Sequence, residues 1–113
     1  FWFSARHQQN DDDQQWEENM ADAMIGAVAA SGAALAPEEY LPGSFFTRGP
    51  RGVYWLNAGQ RGEGLNLVDF AARTYGPSFT IETGMKLPFA ERVATCKLVV
   101  KKAVEVFAQR YAG

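Results

Sequence analysis

The chain has 113 residues, the length of one ordinary domain, and 47% of them are hydrophobic. The formal net charge of −2 gives no electrostatic reason to expect nucleic acid or an anionic membrane as a partner. The longest apolar-rich stretch, residues 21–36, is too short and too often interrupted to span a bilayer. The composition therefore predicts a soluble globular domain and carries no signal for a particular cellular compartment.

Three aromatic residues, Phe1, Trp2 and Phe3, open the chain, and no signal-peptide layout surrounds them. Consecutive bulky aromatics are typical of a buried strand, which we expect over residues 1–4. We therefore expect residues 1–113 to be a single but partial domain. Its upstream half is expected to be missing, which should leave one sheet edge and the aromatic start of the chain unpaired and promote self-association.

The first helix is expected to follow a polar loop at residues 6–15. Its start is marked by Asp11, Asp12 and Asp13, which suit a solvated helix cap better than a metal site. Gly32 provides the stop. Between these points, apolar residues recur at three- and four-residue spacing. The buried stripe predicted by this spacing comprises Trp16, Met20, Ala23, Met24, Ala27 and Val28.

Residues 36–64 are rich in proline and glycine and contain two short strand-like segments, residues 45–47 and 53–56. Arg48 and Arg51 lie in the turn between these segments. Because this turn is conformationally restricted and carries two cations, it is a candidate pocket for an anionic group of a substrate. The alternative is a pair of exposed arginines on a surface loop.

A short helix is expected over residues 65–74, and a strand over residues 79–82. Strand alternation sends Phe79 and Ile81 to one face of the sheet and Glu82 to the other. Glu82 then lies near the carboxyl end of its strand, the edge at which open α/β sheets gather their ligands. A partly desolvated carboxylate there is a candidate general base. The alternative is a strand-end glutamate that faces solvent or pairs with an arginine.

The last helix is expected to open at Pro88 and to pack on the sheet through an almost continuous apolar face. Cys96 lies in this face, and we interpret it as a small core residue, because one cysteine cannot form an internal disulfide. The charged residues on the other side are interpreted as solvated. The predicted apolar face comprises Phe89, Val93, Cys96, Val100, Ala103, Val104, Phe107 and Tyr111.

The chain lacks the motifs of a self-contained metal site or serine-hydrolase site. Its single histidine, His7, has no H-x-x-E or H-E-x-x-H companion, so no recognised motif assembles a zinc site from this chain. We interpret His7 as structural or exposed. No serine lies in a G-x-S-x-G motif, and the glycines of residues 59–64 lack the Lys-Ser/Thr ending of a phosphate-binding loop.

Three segments occur in an order that resembles the carboxyl-terminal part of zinc carboxypeptidases. They are residues 64–71 (GLNLVDFA), residues 74–84 (TYGPSFTIETG) and the Leu87-Pro88 pair before the last helix. The resemblance is close over the second half of the chain and loose over the first, where residues 1–3 resemble the strand after the family's last zinc histidine. It implies an α/β fold with a mixed β-sheet flanked by helices.

The resemblance also implies roles for individual residues. Glu82 matches the catalytic glutamate, which takes a proton from a zinc-bound water and passes it to the leaving nitrogen. Tyr54 is the nearest candidate for a tyrosine that closes over the substrate, and Val68 matches the floor of the specificity pocket. The family's Zn²⁺ ligands and its carboxylate-binding arginines lie upstream of the matched region. We therefore expect the Zn²⁺ ligands outside this chain.

These features together predict the carboxyl-terminal portion of a zinc-dependent hydrolase that cleaves a peptide or amide bond. The expected partners are a peptide or N-acyl amino acid substrate and the upstream half of the catalytic domain, and the chain alone is expected to be inactive. One alternative is a zinc-dependent deacylase of N-acyl amino acids, as in the acylase branch that includes succinylglutamate desuccinylase and aspartoacylase. Another is a non-catalytic binding or structural domain of this fold. A Glu82 carboxylate that pointed to open water, far from any concavity, would contradict the assigned role.

Overall fold

The computed structural model describes residues 1–6, 10–44, 46–56 and 78–111. In chain order these residues form strand β1 (Trp2–Arg6), helix α1 (Asp11–Ala30), strands β2 (Phe46–Arg48), β3 (Val53–Leu56) and β4 (Phe79–Glu82), and helix α2 (Phe89–Tyr111). The helix predicted over residues 65–74, with Val68, lies outside the described residues, and so does His7. No helix in the described ranges is long and apolar enough to cross a membrane.

The strands form one mixed sheet in the order β2-β3-β1-β4. Strand β1 runs parallel to β3 and antiparallel to β4, while β2 runs antiparallel to β3. The α/β class, the mixed sheet and the helices packed against it are confirmed. The expectation that the aromatic start of the chain is left unpaired is wrong, because β1 is a central strand with a neighbour on each side.

One face of the sheet carries the hydrophobic core, and both helices contribute to it. Side chains alternate along each strand, so every second residue of β1 and β3 points into this core. The sheet residues in the core are Phe1, Phe3, Ala5, Val53 and Trp55, with Phe79 and Ile81 partly buried beside them. The predicted placement of Phe79 and Ile81 on one face of β4 is thus confirmed, and Glu82 lies on the opposite face.

Helix α1 begins at an asparagine cap that the sequence pattern did not single out. The Oδ1 atom of Asn10 accepts hydrogen bonds from the backbone N–H groups of Asp12 at 2.8 Å and Asp13 at 3.2 Å. The aspartates fill the first turn, where their charge favours a helix N-terminus. Gly32 follows the last turn with a φ of 81°, so the predicted helix stop is confirmed.

The buried stripe of α1 is rotated relative to the prediction. Trp16, Ala23 and Ala27 are only partly buried. Trp16 lies at the margin of the stripe and packs against α2, with its ring 6.3 Å from that of Phe107. The stripe follows three- and four-residue steps through the buried residues of the helix, which are Glu17, Met20, Ala21, Met24, Ile25 and Val28.

The predicted apolar face of α2 is largely wrong. Val99 is fully buried and Ala103 and Val106 pack beside it, whereas the predicted residues Val100 and Val104 are 54% and 61% exposed. The reason is that α2 carries apolar residues on two neighbouring sides, and only one of them meets the sheet.

Two further predictions on α2 need correction. Cys96, which the sequence predicts to be a small core residue, is half-buried and lies outside the core cluster of the described residues. Helix α2 begins at Phe89, so Pro88 immediately precedes it. The carbonyl of Pro88 accepts the first helical hydrogen bond, from the backbone N–H of Arg92 at 3.1 Å.

Gly52 permits a close contact between α1 and the start of β3. Its φ is 86°, and a Cβ atom added there would lie 2.9 Å from Cδ1 of Ile25. We expect Gly52→Ala to lower the free energy of unfolding by about 1–3 kcal/mol, because backbone strain at positive φ and the collision with Ile25 act together. Urea denaturation followed by circular dichroism measures this change.

The matched control is Gly26→Ala within α1. An added Cβ at Gly26 meets nothing within 4 Å, and alanine is the better helix former. The control variant should therefore raise the free energy of unfolding by up to about 1 kcal/mol. A Gly52→Ala variant as stable as the unmodified protein would show that Ile25 and the backbone accommodate the added Cβ without loss of stability.

Candidate functional site

The sheet brings the predicted site residues that the structure describes to one end. Strand β2 ends at Arg48, which pairs with Tyr54 of β3. Strand β4 ends at Glu82, which pairs with Trp2 at the start of β1. Arg51 lies in the turn that enters β3. Arg48 and Glu82 are separated by three strand spacings and by two residues of register along the strands, or about 16 Å between Cα atoms.

This end is not the one that the sequence argument assumed. Glu82 does lie at the carboxyl end of β4, but β4 runs antiparallel to β1. Its last residue therefore lies where the parallel strands β1 and β3 begin. The rule that ligands gather at the carboxyl edge of parallel strands does not apply to Glu82.

Arg48, Arg51 and Tyr54 line one small cavity, which we call the arginine cavity. Its volume is about 190 Å³. Two guanidinium groups at a cavity of this size suit a small anionic group such as a carboxylate, since each guanidinium offers several N–H donors in one plane. The residues that line the arginine cavity are Pro37, Glu38, Arg48, Gly49, Pro50, Arg51, Gly52 and Tyr54.

Both arginines also hold the loop that closes this cavity. The Nη2 atom of Arg48 donates to the carbonyl of Glu39 at 2.8 Å, and Nε of Arg51 donates to the carbonyl of Ala36 at 3.0 Å. Both side chains remain exposed. The arginines are therefore surface residues that also line a cavity. The two interpretations of the sequence, a pocket for an anionic group and a pair of exposed arginines, are compatible.

Tyr54 is buried and its hydroxyl group is engaged within the fold. The hydroxyl donates to the carbonyl of Tyr40 at 2.9 Å, and the ring packs edge-on against Trp2 with centroids 5.5 Å apart. Burial raises the pKa of the phenol, and the positive charge of Arg48 acts in the opposite direction. A role in closing over a substrate would require Tyr54 to leave this aromatic cluster.

Glu82 is exposed at the end of β4. The next residue fixes this end of the strand, because Oγ1 of Thr83 accepts a hydrogen bond from Nε of Arg92 in α2 at 3.0 Å. Cavities of about 580, 330 and 190 Å³ lined by described residues do not include Glu82, so this exposed carboxylate lies outside them, an arrangement that counts against the role of general base. Residues 57–77, which lead into β4 and include Val68, lie outside the described ranges.

The described residues do not fit a zinc site. Within them, no group of three or more histidine, cysteine, aspartate or glutamate side chains is placed to hold a metal ion. A structural or catalytic zinc normally needs at least three protein ligands. The chemistry that these residues offer is that of one exposed carboxylate and two guanidinium groups at the same end of a sheet.

Glu17 is a residue that the sequence argument missed. Its side chain is fully buried among the apolar residues of α1. The spacing contained a usable signal, because Glu17 precedes Met20, Ala21 and Met24 by three, four and seven positions. A glutamate at such a position on an otherwise apolar stripe indicates a buried ionisable group.

No family model matches this chain, and comparison with the curated proteins and with the solved structures finds no significant match. The resemblance to zinc carboxypeptidases therefore stays a hypothesis that depends on the motifs quoted above.

Proposed function

We propose that this chain is the carboxyl-terminal portion of a zinc-dependent hydrolase of peptide or other amide bonds, with Glu82 as the general base. The observation that carries the proposal is the shared location of Glu82 and the arginine cavity at one end of the sheet. A substrate with an amide bond and a nearby carboxylate has one charged end and one reactive centre. In this arrangement the arginine cavity is available to the carboxylate, and Glu82 is available to the amide bond.

Arg48 and Arg51 bind the carboxylate of the substrate in this proposal. The cavity volume of about 190 Å³ suits a carboxylate and the first atoms attached to it. The Cα separation of about 16 Å between Arg48 and Glu82 is shortened where the two long side chains, which extend from the same sheet face, lean toward each other. What remains is of the order of one or two extended residues, at about 3.5 Å each.

Glu82 moves the proton in this proposal. Its carboxylate accepts a proton from the attacking water as the water oxygen bonds to the amide carbon. The same proton then passes to the amide nitrogen as the carbon–nitrogen bond breaks. A positioned general base of this kind contributes about a hundred- to ten-thousand-fold to the rate. Because the described residues do not fit zinc, the ligands of any zinc ion are assigned to polypeptide outside the described part of this chain.

Two alternatives remain alongside this proposal. A deacylase of N-acyl amino acids uses the same groups on a smaller substrate. A non-catalytic binding or structural domain of the same fold is favoured by the exposure of Glu82 and by the engagement of Tyr54 inside the fold. The three functions differ in which amide substrates, if any, are hydrolysed.

The test uses matched substrate pairs with the complete enzyme, in which this sequence is joined to the zinc-binding segments. A blocked dipeptide and an N-acyl amino acid are each assayed as the free acid and as the carboxamide. We expect kcat/KM to be about ten- to a hundredfold higher for the free acid, the value of one or two charge-assisted hydrogen bonds. Equal rates would exclude a carboxylate site, and no hydrolysis of any substrate would favour the non-catalytic domain.

A further inference from the structure

The arginine cavity contains an acidic residue as well as its two arginines. Glu38 lines the cavity together with Arg48 and Arg51, and all three side chains are exposed. Among the described residues, neither arginine forms an ion pair with Glu38, and each donates to a backbone carbonyl instead. Since the Glu38 carboxylate is not paired with the arginines, it is available to a cationic group of a ligand.

The two arginines hold the loop on both sides of Glu38. Nε of Arg51 donates to the carbonyl of Ala36 at 3.0 Å, two residues before Glu38. Nη2 of Arg48 donates to the carbonyl of Glu39 at 2.8 Å, one residue after it. The side chains that would bind an anion therefore also position the backbone that carries the neighbouring carboxylate.

A turn closes the same loop. The backbone N–H of Tyr40 donates to the carbonyl of Pro37 at 3.0 Å, so Glu38 is the second residue of this turn. The carbonyl of Tyr40 accepts a hydrogen bond from the hydroxyl of Tyr54 at 2.9 Å. These contacts and the two arginine contacts fix the backbone at Glu38 relative to the guanidinium groups. Such preorganisation lowers the entropic cost of binding a ligand.

A ligand group that carries both a carboxylate and an ammonium matches the charges of this cavity. The guanidinium groups suit the carboxylate, and Glu38 suits the ammonium. In a free amino acid both groups are attached to one carbon, so a cavity of about 190 Å³ has room for both. The carboxyl-terminal residue of a peptide offers only the carboxylate, because its nitrogen is an uncharged amide. Glu38 repels that carboxylate and gains no partner.

We infer that the arginine cavity binds the free amino-acid head group of a substrate whose scissile amide lies on its side-chain nitrogen. The inference rests on the proposed function, in which Glu82 acts on the amide bond. Nε-acyl-lysines are substrates of this class. Their side chain spans about two extended residues, at about 3.5 Å each, which matches the gap between the arginine and Glu82 side chains. Water adds across the carbon–nitrogen bond, so the products are a carboxylic acid and free lysine.

Two isomeric probes test the assigned charges on the 113-residue chain itself. Nε-acetyllysine has its ammonium and carboxylate on one carbon, whereas Nα-acetyllysine has its ammonium at the far end of the side chain. The isomers have the same composition and the same net charge. In NMR titrations we expect Kd to be about five- to tenfold lower for Nε-acetyllysine, between the values of an exposed ion pair and a charge-assisted hydrogen bond. Equal affinities, or no binding of either isomer at millimolar concentrations, would overturn the inference.

Glu38→Gln removes the charge assigned to the ammonium. The preference for Nε-acetyllysine should disappear in this variant, while binding of Nα-acetyllysine should not weaken, because both arginines remain. The matched control is Glu91→Gln, which removes an exposed carboxylate from α2, away from the cavity, and should keep the preference. Circular dichroism checks that both variants fold. A Glu38→Gln variant that kept the preference would overturn the role of Glu38.

Hydrolysis assays with the complete enzyme separate this inference from the proposed function. Faster hydrolysis of Nε-acetyllysine than of Nα-acetyllysine or a blocked dipeptide would support both. Faster hydrolysis of either of the other two substrates would overturn the inference and leave the hydrolase proposal in place. Selective binding of Nε-acetyllysine without hydrolysis of any substrate would overturn the hydrolase proposal and support the head-group site on a non-catalytic domain.

Discussion

In the hydrolase proposed above, replacing Glu82 by Gln should lower kcat by about a hundred- to ten-thousand-fold, the usual contribution of a positioned general base. Glutamine keeps the length and shape of the side chain but accepts no proton at neutral pH. Since Glu82 is exposed at the end of β4, the substitution should leave folding unchanged. Steady-state kinetics and metal analysis on the same preparation measure the two effects separately, and the zinc content should stay nearly constant.

The matched control for this variant is Glu91→Gln, which removes an exposed carboxylate from α2. It should retain the activity of the unmodified enzyme, because Glu91 lies on the helix layer and not at the sheet end that holds the arginine cavity. If Glu82→Gln kept most of its activity, the role assigned to Glu82 would be wrong. If both variants lost activity together, the cause would be a general effect of charge.

Replacing Phe3 by Ala should lower the free energy of unfolding by about 3–5 kcal/mol, a large part of the total of about 5–15 kcal/mol for an ordinary domain. Phe3 is completely buried in the central strand β1, between Val53 and Ile81 of the neighbouring strands. Its ring packs edge-on against Phe79 with centroids 5.4 Å apart. The substitution removes this contact and leaves a cavity that the sheet cannot close. Urea denaturation measures the loss.

Met85→Ala is the control for Phe3→Ala. Met85 is 88% exposed, so its truncation should change the free energy of unfolding by no more than about 0.5 kcal/mol. A Phe3→Ala variant that unfolded at nearly the same urea concentration as the unmodified protein would show that β1 is not the centre of the fold.

Local sequence patterns were sufficient for the elements themselves. The aromatic residues at the start of the chain, the strand over residues 79–82 and the helix stop at Gly32 are all present in the structure. Each is a consequence of neighbouring residues: strand alternation, side-chain bulk, or a glycine that tolerates positive φ. Such effects act over a few positions and are visible in the chain alone.

Which side of each helix is buried was harder to predict from the sequence. The predicted stripe of α1 is rotated from the observed one, because Glu17, Ala21 and Ile25 were not counted among its buried residues. Helix α2 has two apolar sides, and its sequence does not say which one meets the sheet. Val99 became the centre of the core face only because the sheet and α1 are positioned to meet it.

For the candidate site, too, some features follow from the sequence and others only from the tertiary structure. The sequence by itself determined which groups are available for chemistry, the Glu82 carboxylate and the guanidinium groups of Arg48 and Arg51, because ionisable groups are a property of residue type. Only the tertiary structure decided that these groups share one end of the sheet, that this end is where β1 and β3 begin, and that the Tyr54 hydroxyl is bound to the carbonyl of Tyr40. Strand direction and order depend on contacts between residues far apart in the chain, and no local pattern encodes them.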